Sequence, residues 1–169
     1  MVLDACGFDD QGPDSKDSGQ KTAELATFND WTPYTSEEYP PISCDGSSAF
    51  SAVHLTGNNS DNIQAYCSEI NAIRQGSYWA PFFSELNVNF STCNGGYWVT
   101  GLSCKGNNCS AISLACTYLA GVNQHNCHWT GFVSEENGGF LSFGAGYYAA
   151  GAQCSGNYCD DMSFYVCQP

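Results

Sequence analysis

Positive charge is scarce in this chain: its 169 residues hold four Lys and Arg against seventeen Asp and Glu, a formal net charge of −13. A surface that tracks phosphates needs clustered cations, so nucleic acid is excluded as a partner. Anionic membrane surfaces are disfavoured on the same ground. Long apolar runs are missing too, so no segment is expected to span a bilayer. No Cys-x-x-Cys occurs, which removes the usual knuckle of zinc and iron–sulfur sites. The N-terminus lacks the charged-then-apolar profile of a signal peptide, and a leader is expected to have been removed or to lie outside the chain.

Cysteine, by contrast, is abundant, at eleven residues. That count, with few Lys and Arg, reads as a disulfide framework, which persists only in an oxidising compartment. The expected location is therefore secreted, extracellular or at the cell surface. No cofactor or resident metal is expected.

The sequence repeats itself. Shifted by 49 positions, Ser43–Cys67 falls without a gap on Thr92–Cys116, so that Cys44 meets Cys93, Gly57-Asn58-Asn59 meets Gly106-Asn107-Asn108, and Cys67 meets Cys116. Shifted by 50, Trp79–Cys109 falls on Trp129–Cys159, matching Ser84-Glu85 with Ser134-Glu135 and both Cys104 and Cys109 with Cys154 and Cys159. Trp31, followed by Ser36-Glu37, opens the first copy. The repeats are 29–76, 77–126 and 127–169, forming a single β domain. Residues 1–28 belong to none. With six acids, two lysines and few large apolar groups, they form an acidic arm that reads either as a solvated tail or as a segment ordering on a neighbouring subunit.

Alternation and β-branched or aromatic content make strands of segments such as Tyr97–Leu102 and Ala111–Cys116. The Gly-Asn pairs between them supply residues that accept positive φ in a tight hairpin. The stretch Asp61–Arg74 looks helical alone. Its alignment with strands overrides that as far as Cys67, and a short helix is expected beyond. Copy three is read as carrying one extra residue between Met162 and Cys167, a β-bulge.

Comparing copies predicts the cystines. Copies two and three have Cys104/Cys109 and Cys154/Cys159 where copy one has Leu55 and Ser60. Both members vanish together, as bonded partners do. By the same logic Cys44 pairs with Cys67 and Cys93 with Cys116. In copy three Phe143 replaces the first of that pair while Cys167 remains, and the additional Cys127 is assigned to it. Cys6 is left over in the arm, a candidate for an interchain bond.

Three equal β units that cannot each bury an apolar face close most naturally about a pseudo-threefold axis. The expected fold is all-β, disulfide-stapled and β-prism-like, with a β-trefoil as the alternative. Against the trefoil, the Gln-x-Trp signature of sugar-binding trefoils is absent. Trp31, Trp79 and Trp129, Gly101 and Gly151, and Asp61, Asp160 and Asp161 with Cys67 and Cys167 carry a resemblance to the vitelline membrane outer layer protein I family of β-prisms. The segments Trp129–Glu136 and Cys154–Asp160 are also similar to Cys-rich modules of secreted bacterial proteins. The first resemblance implies an extracellular coat protein with oligosaccharide contact.

Candidate chemistry is sparse. Ser36-Glu37-Glu38, Ser84-Glu85 and Ser134-Glu135-Glu136 recur at one place per copy and read as turn caps, with calcium or sugar hydroxyls as the alternative. Asp160, Asp161 and Glu135 are the acids a glycosidase would use, but neighbouring acids at a hairpin are ordinarily solvated. His125-x-x-His128 has the spacing of a metal pair but no further ligand. The recurring Trp31, Trp79 and Trp129 are expected in the core. Trp98, Tyr118, Tyr148 and Tyr158, which do not recur as a set, are left as a ligand platform. Asn58, Asn89 and Asn108 head Asn-x-Ser sequons. The expected protein is a non-enzymatic extracellular module, structural or interacting, that self-assembles into an oligomer, polymer or coat through its arm. A secreted lectin and, more remotely, a carbohydrate-active enzyme are the alternatives.

Overall fold

The computed structural model describes residues 29–169 together with the backbone of 24–26. Thirteen strands follow in chain order: β1 (Glu24–Ala26), β2 (Asp30–Trp31), β3 (Ile42–Cys44), β4 (Ser48–Thr56), β5 (Asn62–Glu69), β6 (Ile73–Trp79), β7 (Phe90–Thr92), β8 (Tyr97–Lys105), β9 (Ala111–Ala120), β10 (His125–Trp129), β11 (Phe140–Ser142), β12 (Tyr148–Ser155) and β13 (Asp161–Gln168). The fold is all-β. The strands form three sheets rather than one barrel: β3-β8-β9-β6 extended by β1, β7-β12-β13-β10, and β11-β4-β5-β2. Between Cys67 and Arg74, where a short helix was expected, β5 runs on to Glu69 and β6 begins at Ile73, paired with β9 from Ile73↔Ala120 to Trp79↔Ala115.

Each repeat contributes a long hairpin, β4–β5, β8–β9 or β12–β13, flanked on its far side by β2, β6 or β10, the last two of which begin at the end of the preceding repeat. The remaining short strand crosses over. β3 of the first repeat pairs with β8 of the second, β7 of the second with β12 of the third, and β11 of the third with β4 of the first. Every sheet is thereby completed by its neighbour, and the cycle closes on itself. No copy can form its sheet alone, which is the structural content of the threefold duplication.

Inward-facing side chains from all three sheets share one core, with Phe50, Val53, Leu55, Ile63, Leu102, Ile112, Leu114, Met162 and Phe164 at its centre. A smaller cluster gathers Ala49, Ile70, Trp98, Leu119 and Ala150 near the hairpin ends away from their turns. At the other end the three 3-10 turns, Asn58–Ser60, Asn107–Cys109 and Asn157–Cys159, touch one another pairwise. Each turn holds two successive residues at positive φ, Asn59 and Ser60, Asn108 and Cys109, Tyr158 and Cys159; the side-chain amide of Asn tolerates that region well, and Tyr does so poorly.

All five expected cystines are present: Cys44–Cys67, Cys93–Cys116, Cys104–Cys109, Cys127–Cys167 and Cys154–Cys159. The route to one of them was wrong. No extra residue lies between Met162 and Cys167, since β12 and β13 pair continuously from Gly151↔Tyr165 to Ser155↔Asp161. The irregularity sits on the first hairpin strand, at Phe50/Ala52, Val99/Gly101 and Ala149/Gly151, at one place in every copy. Cys167 is therefore the counterpart of Thr117 and Ser68, and Val166 that of Cys116. With period-two alternation the neighbouring position faces the opposite side, so Cys167 looks away from the core that Cys116 enters. Phe143 and Val166 replace the Cys93–Cys116 pair together, and Phe143 packs against Phe164 with ring centroids 5.2 Å apart.

The acidic arm is tied to the domain at its end: Glu24, Leu25 and Ala26 pair in parallel with Ile42, Ser43 and Cys44 of the same chain. Cys6 lies outside the described residues.

Candidate functional site

The recurring tryptophans are on the surface. Trp79 is 46% and Trp129 37% exposed, and Trp31 is half-buried. They recur because each ends an edge strand, β6, β10 or β2, at the same point of an outer sheet face; cystines, aliphatic side chains and phenylalanines fill the interior instead. The four aromatics left as a ligand platform do not form one: Trp98 and Tyr148 meet, and Tyr118 and Tyr158 lie apart from them. Trp98 is fully buried, its indole edge-on to Tyr148 at 6.2 Å. Tyr118 packs against Tyr97 at 5.3 Å, in the space beside Gly96 where a Cβ would come within 2.8 Å of its ring. Tyr158 projects from its turn at the far end. Tyr148 donates from its hydroxyl to the Glu69 carbonyl at 3.0 Å. Burial, then the Glu69 charge, raises its pKa above the ordinary phenol value.

A cluster of five rings lies on the outer face of the sheet β11-β4-β5-β2, and a smaller one, Phe90, Trp129 and Tyr165, on the equivalent face of β7-β12-β13-β10. Cross-strand pairing sets Thr56 beside Asn62, His54 beside Gln64 and Ala52 beside Tyr66, and Trp31 beside Tyr66 on the next strand. Alternation turns the amide, imidazole and phenol to one side while Ile63, Ala65 and Cys67 enter the core. Trp31 has Tyr66 at 5.4 Å, Phe140 at 6.1 Å and His54 at 6.3 Å, and Tyr34 stands 6.2 Å beyond His54. Nδ1 of His54 meets the Tyr34 hydroxyl at 3.0 Å and Oε1 of Gln64 at 3.3 Å. Gln64 is oriented in turn by donating its amide to the Thr32 carbonyl at 3.1 Å. The ring positions are thus fixed by bonds within the face.

Two concavities flank this ridge. One, about 440 Å³, is lined by Pro33, Tyr34, Tyr39, Pro40, Thr56 and Asn62. The other, about 420 Å³, is lined by residues including Trp31, Ser51, Tyr66, Ser68, Phe140 and Tyr147, with the Ser51 and Ser68 hydroxyls 2.6 Å apart on its floor.

The other two sheets serve as internal controls. The counterparts of His54, Gln64 and Tyr66 are Ser103, Ser113 and Ala115 in copy two, and Gln153, Ser163 and Tyr165 in copy three. The hydroxyl pair becomes Thr100–Thr117, also 2.6 Å apart, and then Ala150 and Cys167, with the Cys127–Cys167 bridge running across that face. Only the first face combines an imidazole, two amides and a ring cluster. These differences between copies were readable in the alignment, whereas identities between copies mark the scaffold.

The repeated Ser-Glu motif acts at the turn end, across repeat boundaries. Glu37 accepts the Asn108 backbone N–H at 3.2 Å, and Glu85 lies 3.5 Å from Sγ of Cys159. Glu135 stands at the turn of the first repeat, where Ser60 donates to its Oε2 at 2.5 Å. The turn-cap expectation holds for Glu37, with the capped turn belonging to the next copy. Acids crowd there. Burial first, then the charges of Glu37 and Glu135, raises the pKa of Asp61. Burial first, then Asp161, Glu135 and Glu136, raises that of Asp160. Among the described residues, the clusters with metal-ligand geometry are Glu37 with Cys104 and Cys109, and Glu85 with Cys154 and Cys159. Their sulfurs are joined as cystines and offer no thiolate. His125 and His128 are both exposed, His128 with its ring 4.9 Å from that of Tyr147. Asn58 and Asn89 are exposed, while Asn108 is half-buried beside the bridged Cys109.

No protein-family model, curated protein or solved structure matches the chain.

Proposed function

We propose that the protein is a non-enzymatic extracellular module of β-prism type that binds carbohydrate on the outer face of the sheet β11-β4-β5-β2. One observation carries the reading: Trp31, Tyr34, His54, Tyr66 and Phe140 form a fixed cluster of rings bordered by Gln64, Asn62, Ser51 and Ser68, and neither equivalent face has that combination. A sugar ring presents an apolar C–H face and a rim of hydroxyls. Aromatic platforms suit the first, and amides, hydroxyls and an imidazole, which both donate and accept, suit the second. The five cystines make the platform rigid before any ligand arrives, which lowers the ordering cost of binding. Glycan-array binding by the wild type, lost in Trp31→Ala and Tyr66→Ala, is the expected result. A folded wild type that retains no glycan at high micromolar protein rejects it.

A second reading, self-assembly through the acidic arm, is favoured by the pairing of β1. That strand sits on β3 through three residues, and β7 and β11 are the equivalent edges of the other sheets. A strand from another copy adding to such an edge is β-augmentation. Sizing of the full chain, a chain lacking 1–28 and Cys6→Ser tests it; a monomer in all three rejects assembly.

A further inference from the structure

We infer that the binding face takes an extended, uncharged oligosaccharide spanning both concavities, rather than a single sugar. The inference rests on the carbohydrate reading above and adds the ligand's length and charge.

Length follows from the arrangement of rings. Tyr34 lines one concavity, and Trp31 and Phe140 line the other. His54 stands between them, its ring 6.2 Å from Tyr34 and 6.3 Å from Trp31. The result is a track of rings at near-equal steps from one cavity to the next. A monosaccharide can occupy one cavity and touch only part of the track. A chain of linked sugars meets a platform at each step, and its second contact is made intramolecularly once the first is in place. Each cavity also carries its own polar rim: Thr56 and Asn62 in one, Ser51, Ser68 and Ser142 in the other.

Charge follows from the lining. Neither concavity is lined by Lys or Arg, and the chain's net charge is −13. An anionic saccharide would find no counter-charge on the face and a repulsive field on approach. The donors here are amides, hydroxyls and an imidazole, which suit hydroxyl and acetamido groups.

The test uses the intact, oxidised protein and three ladders of one to six units: N-acetylglucosamine oligomers, glucose oligomers and uronic-acid oligomers. Calorimetric affinity for at least one neutral ladder is expected to rise about tenfold or more between one and three units and then level off, with no uronic-acid binding at low ionic strength. Tyr34→Ala and Tyr147→Ala, one at each cavity, should each flatten that rise. An affinity independent of length, or uronic-acid oligomers binding as tightly as neutral ones, overturns this inference and leaves the carbohydrate reading standing. No binding by any ladder member, with the fold verified by circular dichroism, overturns both.

Discussion

The Ser60 hydroxyl of the first repeat stands 2.5 Å from Oε2 of Glu135 in the third, and 2.7 Å from the Asp160 carbonyl oxygen. Its Oγ also accepts the Glu135 backbone N–H at 3.2 Å. In the other repeats this place belongs to Cys109 and Cys159, with Cys109 Sγ 3.0 Å from the Asp61 carbonyl oxygen. Serine thus completes the ring of repeats by hydrogen bonding where cysteine completes it through a cystine-stiffened turn. The seam between the third and first repeats is the one that closes the cycle, and it carries no covalent staple at its turn.

Ser60→Ala should therefore destabilise the whole domain rather than one turn. The hydroxyl is buried, and its loss leaves a carboxylate and an N–H without their partner, a cost of about 1–3 kcal/mol. Chemical denaturation with cystines intact should show a lower midpoint with an unchanged slope. An unchanged midpoint would mean that the seam is held elsewhere.

The acids around that seam set the pH dependence. Asp61 and Asp160 have folded-state pKa values raised above the ordinary 3.8. Between 3.8 and the raised values the folded protein binds more protons than the unfolded chain, so stability falls as pH rises through that window. These carboxylates strain the fold when ionised and relax it when protonated. Asp160→Asn should raise the midpoint at pH 7 and lose its advantage below about pH 4. A variant no more stable than the wild type at pH 7 would contradict this.

The strands and cystines were legible because they obey rules local to each repeat. Cys104 and Cys109 disappear together as Leu55 and Ser60, so their bond could be read without coordinates. Which face a residue occupies was harder, because it depends on parity along a strand. The bulge at Val99/Gly101 and its equivalents shifts that parity identically in all copies and so left no trace in their comparison. Trp31, Trp79 and Trp129 were misplaced for a related reason: recurrence reports equivalent positions, inside or outside alike. Trp98 was misplaced in the opposite sense. The equivalent positions Ala49, Trp98 and Tyr148 meet in one cluster, with Tyr148 edge-on to Trp98, so residue type varies there while burial is shared. The ring cluster became visible once the sheets were known, since Trp31, His54 and Phe140 come from separate strands, β2, β4 and β11.

The crossing strands predict an asymmetry among glycines. A Cβ at Gly101 would lie 2.8 Å from the Ile42 carbonyl oxygen and 2.9 Å from the Ala115 Cβ, where β3 of the first repeat meets β8 of the second. Overpacking of this kind costs about 1–3 kcal/mol, so Gly101→Ala should lower the thermal midpoint. Gly95→Ala, with nothing within 4 Å of the added carbon, should stay within about 0.5 kcal/mol of the wild type. Equal losses at both sites would place the strain in the backbone and not in the crossing.

The cystines should differ in accessibility by face. Cys44, Cys67 and Cys116 have no exposed surface, and Cys104, Cys109, Cys154 and Cys159 are buried in or beside the turns. Cys127 is the half-exposed member of the set, lying on β10 at the edge of its sheet, while its partner Cys167 has no exposed surface, so attack on this bridge comes at the Cys127 sulfur. Thiol–disulfide exchange needs an attacking thiolate to reach a sulfur, so the bridge with an open approach is attacked first. Limiting reductant under native conditions, followed by alkylation and peptide mass mapping, should label Cys127 and Cys167 well ahead of every other pair. Because β13 remains held by seven paired positions with β12, the singly reduced species should keep its sheet. Early labelling of Cys44 or Cys93 would place those sulfurs within reach of solvent and contradict the core described here.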